Sequence, residues 1–137
     1  ITPDRIETIS GRIRNLASIT PVFDMTLHEI GVFPKWDSPK VLWVGIDKGD
    51  MPIRSLADLI EKEMCQLGFE KEKKNFKSHI TIGRFRSLSH ADKLKKEVQN
   101  IVVHPAGIHV ARIVLYRSRL TGQGPVYDVL FSADMTG

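Results

Sequence analysis

Residues 78–86 (Ser-His-Ile-Thr-Ile-Gly-Arg-Phe-Arg) place a histidine and a threonine two positions apart. The polar–apolar alternation and the β-branched residues predict a strand, so His79 and Thr81 project from one face and Ile80 and Ile82 from the other, towards a core. An imidazole exchanges protons near neutral pH, and a hydroxyl can donate a hydrogen bond to an anionic oxygen. Together they suit a concave site for a polar ligand; the alternative is an edge strand whose outer face carries both residues without a function.

The periodicity of the remaining chain predicts the elements that must position this strand. In order they are a helix over 2–17 with Thr2 as N-cap, strands over 22–32 and 40–46, a helix over 53–67 ended by Gly68, the motif strand, a helix over 89–101 capped by Ser89, and strands over 109–119 and 126–131. Turn-rich connections at 33–39 and 121–125 favour hairpins, and hence mostly antiparallel sheets with helices packed against them. The strand over 40–46 is apolar on both faces, which predicts a central position with Trp43 in the core.

Composition limits the class of protein. With 137 residues, 42% hydrophobic and 26% charged, the chain is expected to form one domain over 1–137 with a substantial core. It contains neither an apolar run long enough to span a membrane nor a signal-peptide pattern at its start, and we expect no membrane contact. The single Cys65 falls in a helical pattern, so we expect a core-side thiol in a reducing cytoplasm.

The net charge of +4 is unevenly distributed along the chain. From residue 71 to residue 119 there are twelve Lys and Arg against three acids, a net charge of +9, which leaves −5 for the rest. This basic stretch surrounds the strand with His79 and Thr81, as expected if its polar face meets phosphate. About half of these charges fit a solvated helix over 89–101 and the loop before it. The arginines at 84, 86, 117 and 119 instead lie on or beside predicted strands.

Four segments in a fixed order resemble one family. His79-Ile80-Thr81-Ile82 followed by Gly-Arg resembles the second His-x-Thr signature of the two-histidine (2H) phosphoesterases, in particular the RNA 2′,3′-cyclic phosphodiesterases, also called 2′-5′ RNA ligases. The other segments are residues 31–34 (Gly-Val-Phe-Pro) with 40–45, residues 67–69 (Leu-Gly-Phe), and residues 115–121 with 124–127. His-x-Thr alone is a weak pattern, but the ordered set spans nearly the whole chain.

The resemblance implies a fold and a reaction. The fold would be α+β and two-lobed, with mostly antiparallel sheets, helices on the outer faces, and a central cleft that receives one His-x-Thr strand from each half. The reaction would be hydrolysis of a 2′,3′-cyclic phosphate at an RNA end to a 2′-phosphate, without metal or cofactor, and with reversible 2′-5′ ligation. One imidazole would activate water and the other would protonate the departing ribose oxygen, which suits a side chain with an unperturbed pKa of ~6.5. The partner would be RNA with such an end, and we expect a monomer.

The same resemblance implies roles for individual residues. His79 would accept the proton, and Thr81 would bind the phosphate as charge builds up in the transition state. Arg84, Ser118 and Tyr127 would bind phosphate or RNA, the last two from a segment similar to the closing hairpin of the family. Strand parity points Arg84 away from His79, unless the glycine before it marks a bulge that re-aims the side chain. The alternative role for Arg84 is an ion pair on the back of the sheet.

The chain departs from the family pattern in one respect, because it contains one His-x-Thr motif instead of two. A helix opening at residue 2 resembles the segment that follows the first motif. We therefore expect that the sequence lacks an N-terminal stretch with the first catalytic histidine, and that the chain by itself turns over little substrate. His28 stands in the order Thr-x-His, which disfavours a catalytic role, and the histidines at 90, 104 and 109 are expected to be structural or at the surface.

Two other functions stay open. One is a phosphodiesterase of the same superfamily that acts on a small cyclic nucleotide, which the basic flank disfavours only mildly. The other is a non-catalytic RNA- or phosphate-binding module that uses one His-x-Thr strand for docking. Hydrolysis of an oligonucleotide ending in a 2′,3′-cyclic phosphate, by wild type and by His79→Ala with and without EDTA, separates an enzyme from a binding module.

Overall fold

The computed structural model describes residues 1–87 and 89–137. Within them the elements are α1 (Pro3–Ile19), β1 (Phe23–Phe33), β2 (Val41–Ile46), α2 (Asp50–Gln66), β3 (His79–Arg84), α3 (Ala91–Gln99), β4 (Ala106–Val110), β5 (Arg112–Thr121) and β6 (Gly124–Asp134). The pairs β1–β2, β2–β3 and β5–β6 are antiparallel, so the α+β class and the two predicted hairpins are confirmed. In the described ranges no helix has the length and apolar character needed to cross a membrane.

The chain divides into two compact units, and the first consists of residues 1–23, 55–75 and 109–137. Its core forms because α1 places apolar residues at helical spacing, which gathers them on one face that packs on the β5–β6 hairpin. Arg12 of α1 also binds Glu63 of α2 at 2.8 Å. Burial of each large aliphatic side chain contributes about 1.5–3 kcal/mol. The buried members are Ile9, Ile13, Leu16, Ala17, Leu56, Ile113, Ala133 and Met135.

The second unit consists of residues 24–54 and 76–108, and it holds most of a four-stranded sheet in the order β3-β2-β1-β4. The apolar strand β2 therefore lies inside the sheet, as predicted, whereas β3 lies at its edge. The prediction that Ile80 and Ile82 face a core is wrong, because these side chains are 41% and 55% exposed. Alternation fixes which residues share a face, but an edge strand has a neighbour on one side only, and its apolar face is correspondingly less covered.

Two predicted boundaries also differ from the structure. The residue before α3 is His90, without a side-chain capping bond, so the Ser89 cap is wrong; two polar residues in succession leave such a boundary ambiguous by one position. The predicted strand over 109–119 is interrupted at Ala111, whose carbonyl accepts a hydrogen bond from the Met135 amide at 2.8 Å. No glycine or proline signals this break. At the other end of the chain, Thr2 is the residue before α1, as predicted.

Candidate functional site

The strand β3 presents the motif side chains to solvent. The β2–β3 ladder pairs His79 with Gly45 and Thr81 with Trp43, and both motif residues are exposed. Directly paired residues project from the same face of a sheet, so His79 and Thr81 lie on one face together with Trp43. The predicted juxtaposition of an imidazole and a hydroxyl is therefore present, on a sheet face that water reaches.

A β-bulge brings Arg84 to this face as well. The ladder pairs Thr81 with Trp43 but Gly83 with Leu42, so Ile82 is an extra residue without an opposite partner. Arg84 consequently pairs with Val41, which shares the face of the other odd-numbered residues of β2. Of the two alternatives left open for Arg84, the strand therefore shows the bulge, which changes its parity so that Arg84 projects on the same side as the motif residues.

The surroundings of His79 define which ring nitrogen carries hydrogen. Its Nδ1 lies 2.5 Å from the carbonyl oxygen of Lys77. A carbonyl can only accept a hydrogen bond, so Nδ1 must be the donor, and in the neutral ring Nε2 then keeps its lone pair. The Phe33 ring meets the imidazole edge-on at a centroid distance of 5.0 Å and an interplanar angle of 89°. His79 is thus held by the Phe33 ring in the tautomer whose Nε2 atom can accept a proton.

The Trp43 indole lies beside the rings of Phe33 and His79. Its ring lies over Gly31 and beside Gly45: a Cβ added to Gly31 would be 2.1 Å from its Cζ2 atom, and one added to Gly45 would be 3.0 Å from Cζ3. The ring centroid of Phe33 is 5.1 Å from that of Trp43. The prediction that Trp43 belongs to the core is wrong; it is half-buried next to the motif, because two side-chain-free residues give the indole a flat stretch of backbone.

A groove of about 580 Å³ opens next to this aromatic group, and its lining includes Trp43, Gly45, Lys77 and Ser78. Its lining contains both carboxylates and cations, among them Asp50 and Arg54. The Ser78 hydroxyl and the Arg54 guanidinium hold the pKa of the Asp50 carboxyl below its usual value. Ser78 Oγ is buried and forms no hydrogen bond with the described residues, whereas Arg54 binds the Asp50 carboxylate at 2.7 Å. Both ions are therefore engaged with each other.

Ser118 and Tyr127 lie in the first unit, on the exposed end of the β5–β6 hairpin. They pair directly across the ladder and so share one face, where Tyr116 meets Tyr127 edge-on at a centroid distance of 6.3 Å. The opposite face carries Arg117 and Arg119, which bind Asp128 at 3.4 Å and 2.7 Å. The charges of these two arginines are thus compensated by Asp128 of the same hairpin, whereas Arg84 has no such acidic partner in the described ranges.

The Asp128 cluster gives a testable titration. Hydrogen bonds from Arg119, and more weakly from Arg117, hold the pKa of the Asp128 carboxyl below 3.8. Its ion pairs are therefore present above the ordinary carboxyl pKa and are lost as pH falls through the lowered one. Carboxyl ¹³C NMR should show that Arg119→Ala raises the pKa of Asp128 more than Arg117→Ala does, while Arg54→Ala leaves it unchanged. Equal effects of the three variants would contradict this arrangement.

Other chemistry-bearing residues are more dispersed. His28 is exposed on β1 and reaches the groove, and His90, His104 and His109 are exposed, as expected. Outside position 88, no three His, Cys, Asp or Glu side chains are grouped so that they could hold a metal ion. The sequence did not identify Phe33 and Lys77 as part of the site, and Trp43, a possible base-stacking platform, was assigned to the core. Two features of the sequence pointed to them: Lys77 stands two residues before His79, with the same parity, and Phe33 and Trp43 lie in segments that resemble the family.

Comparisons with known proteins identify the family. A family model described as the 2′-5′ RNA ligase superfamily matches residues 1–122. A relative from Aeropyrum pernix, named RNA 2′,3′-cyclic phosphodiesterase, is 36% identical over 112 residues, which cover 80% of this chain and 62% of the relative. A relative of the same name from Thermotoga maritima is 35% identical over 117 residues, which cover 85% of this chain and 60% of the relative. The chain thus spans about 60% of the length of these curated relatives.

Solved structures show the same fold. A crystal structure from Thermus thermophilus, 23% identical, superposes with a TM-score of 0.76 over 100% of this chain and 73% of that one. The crystal structure of E. coli LigT complexed with 3′-AMP, 19% identical, gives a TM-score of 0.75 over 100% of this chain and 72% of that one. The family match runs from α1 through β5 and includes the β3 motif, and the chain therefore belongs to the 2′-5′ RNA ligase superfamily.

Proposed function

We propose that this chain carries one catalytic half of an RNA 2′,3′-cyclic phosphodiesterase, with His79 as the general base. The observation that carries the proposal is the hydrogen bond from His79 Nδ1 to the Lys77 carbonyl, which leaves the Nε2 lone pair on a ring that shares its face with Thr81 and Arg84. The names of the relatives from Aeropyrum pernix and Thermotoga maritima, and the basic stretch around β3, support RNA as the partner.

In the proposed reaction Nε2 of His79 takes a proton from a water molecule as the water oxygen attacks phosphorus. The bond between phosphorus and the ribose 3′ oxygen breaks, and the phosphate stays on the 2′ oxygen. The departing 3′ oxygen needs a proton from an acid on the opposite side of phosphorus, the role that the other histidine of a paired motif would have. Water supplies both the new oxygen and the proton that His79 later releases, so no further reactant is required.

The proposed roles of Thr81 and Arg84 are electrostatic. A hydroxyl and a guanidinium on the face of the base can donate hydrogen bonds to the non-bridging phosphate oxygens, which become more negative in the transition state. One such preorganised donor is typically worth about 10²–10³ in rate. Arg84 suits this role better than Arg117 or Arg119, because no acidic partner of Arg84 is found in the described ranges, whereas the hairpin arginines share Asp128.

The proposal can be tested by comparing the affinities of the chain for two RNA ends. Residues 1–137 are expected to bind a short RNA ending in a 2′,3′-cyclic phosphate more tightly than the same RNA ending in a 3′-hydroxyl, with or without EDTA, by fluorescence anisotropy. Arg84→Ala should reduce this preference about 10- to 100-fold, since a hydrogen bond to a charged group is worth about 1.5–3 kcal/mol. Arg86→Ala is the matched control: it removes the same charge just after β3 and should leave the preference unchanged.

Two outcomes would contradict the proposal. Equal affinity for the two RNA ends would remove the phosphate from the recognised features. An equal loss in Arg84→Ala and Arg86→Ala would reduce the interaction to general attraction between a basic surface and RNA. In a protein that also carries a second His-x-Thr motif, binding that discriminates between the ends but leads to no detectable hydrolysis would instead favour the alternative of a non-catalytic phosphate-binding module.

A further inference from the structure

His79 stands on an exposed edge strand, where an imidazole would ordinarily occupy several rotamers. Two aromatic rings and one carbonyl restrict it here. Phe33 contacts it edge-on at 5.0 Å, Trp43 lies at 6.4 Å with an interplanar angle of 66°, and the Lys77 carbonyl binds Nδ1. The orientation of the proposed base is therefore determined by its neighbours and not by burial.

The contact with Phe33 crosses the sheet. Phe33 belongs to β1 and His79 to β3, with β2 between them, and their partners on β2 are Val41 and Gly45. The two rings can meet over the middle strand because Gly45, opposite His79, has no side chain and because Trp43 lies flat over Gly31. A contact that depends on two glycines and a flat indole is a specific feature of this face.

Phe33 also contacts the residue that fixes the tautomer. The Lys77 ammonium lies over the Phe33 ring at 5.5 Å from its centroid, and the Lys77 carbonyl binds His79 Nδ1. One phenyl ring therefore meets the side chain of Lys77 on its face and the imidazole of His79 at 89° to its plane. The negative face and positive edge of an aromatic ring favour such contacts with a cation and with a second ring.

We infer that Phe33 is a positioning residue for His79, and this role in the reaction rests on the proposed function. Its ring keeps the imidazole in the orientation in which Nδ1 donates to the Lys77 carbonyl and Nε2 retains its lone pair. Loss of one edge-to-face contact should change the population of this orientation about fivefold. The hydrogen bond and the tautomer depend on the same orientation, so both should respond when the ring is removed.

The test is ¹⁵N NMR of the His79 ring in the free protein at a pH where the imidazole is neutral, which requires neither substrate nor turnover. Wild type is expected to show the Nδ1–H tautomer, Phe33→Leu should shift the population towards Nε2–H about fivefold, and Phe33→Tyr, which keeps the ring, should restore the wild-type signals. Phe76→Leu, a change at a 45%-exposed phenylalanine of the same unit, is the matched control and should change nothing. If Phe33→Leu unfolds, Phe33→Met is measured in its place.

The inference and the proposed function can fail separately. Unchanged ¹⁵N signals in Phe33→Leu, or equal changes in Phe33→Leu and Phe76→Leu, would overturn the positioning role whatever the chain binds. A shifted tautomer, together with weaker preference for the cyclic-phosphate end in Phe33→Leu and recovery in Phe33→Tyr, would support it. A shifted tautomer in a protein that does not distinguish the two RNA ends would support the geometric role of Phe33 and contradict the proposed function.

Discussion

In a protein that pairs this chain's motif with a second His-x-Thr motif, His79→Ala is expected to hydrolyse an oligonucleotide ending in a 2′,3′-cyclic phosphate at least 100-fold more slowly than the unsubstituted protein. General acid–base catalysis by a positioned side chain is typically worth about 10²–10⁴ in rate. Alanine removes the only group of β3 that can accept the proton of the attacking water, while Thr81 and Arg84 stay on the same face. The measurement is the initial rate at which the 2′-phosphate product appears, for both proteins under identical conditions.

His104→Ala is the matched control, because this histidine is also exposed but lies outside the helices and strands. It should retain the wild-type rate, and EDTA should leave all rates unchanged. A His79→Ala variant as active as wild type would exclude His79 as the base. Residues 1–137 could instead turn over substrate robustly and lose this activity in His79→Ala. Another histidine of this chain would then provide the acid, and His28, which lines the groove, would be the first to replace.

The local part of this site could be predicted from sequence. A period of two determines which side chains share a face, so the placement of His79 beside Thr81 follows from the residue order alone. The bulge could be anticipated from the glycine before Arg84, although the extra residue is Ile82. Such features depend on neighbours along the chain, and they contain the residues with the most direct proposed roles.

The supporting residues could not be predicted, because they come together through the order of the strands. Phe33 reaches His79 only in a sheet that places β2 between β1 and β3, and local periodicity does not determine that order. The same missing information explains the wrong prediction of a core for Trp43 and for the isoleucines of β3. A strongly apolar strand such as β2 can be interior in the sheet and still leave one face open above it.

Replacing Gly31 with alanine is expected to lower the free energy of unfolding by about 1–3 kcal/mol, the range typical of overpacking. The new Cβ would lie 2.1, 2.4 and 2.6 Å from three atoms of the Trp43 ring, far inside contact distance. Gly31 does not have a positive φ, so backbone strain is not the cause. Without the clash, alanine in place of glycine would be neutral or slightly stabilising, since it restricts the unfolded chain. Whether Gly31→Ala lowers or raises the free energy of unfolding thus depends on its contact with the Trp43 indole.

Urea denaturation of four variants, namely Gly31→Ala, Trp43→Leu, the two combined, and Gly107→Ala, measures this effect and assigns its cause. Gly107→Ala, in β4 of the same sheet, is the control: none of the described atoms lies within 4 Å of its added Cβ, and stability should not fall. In the double variant Gly31→Ala with Trp43→Leu the flat ring is gone, so the double variant should be more stable than the sum of the two single effects predicts. Additive effects, or a Gly31→Ala variant as stable as wild type, would show that Trp43 can leave the backbone freely. The indole would then not have a fixed position on the sheet, and the contact between Phe33 and His79 would lose its structural basis.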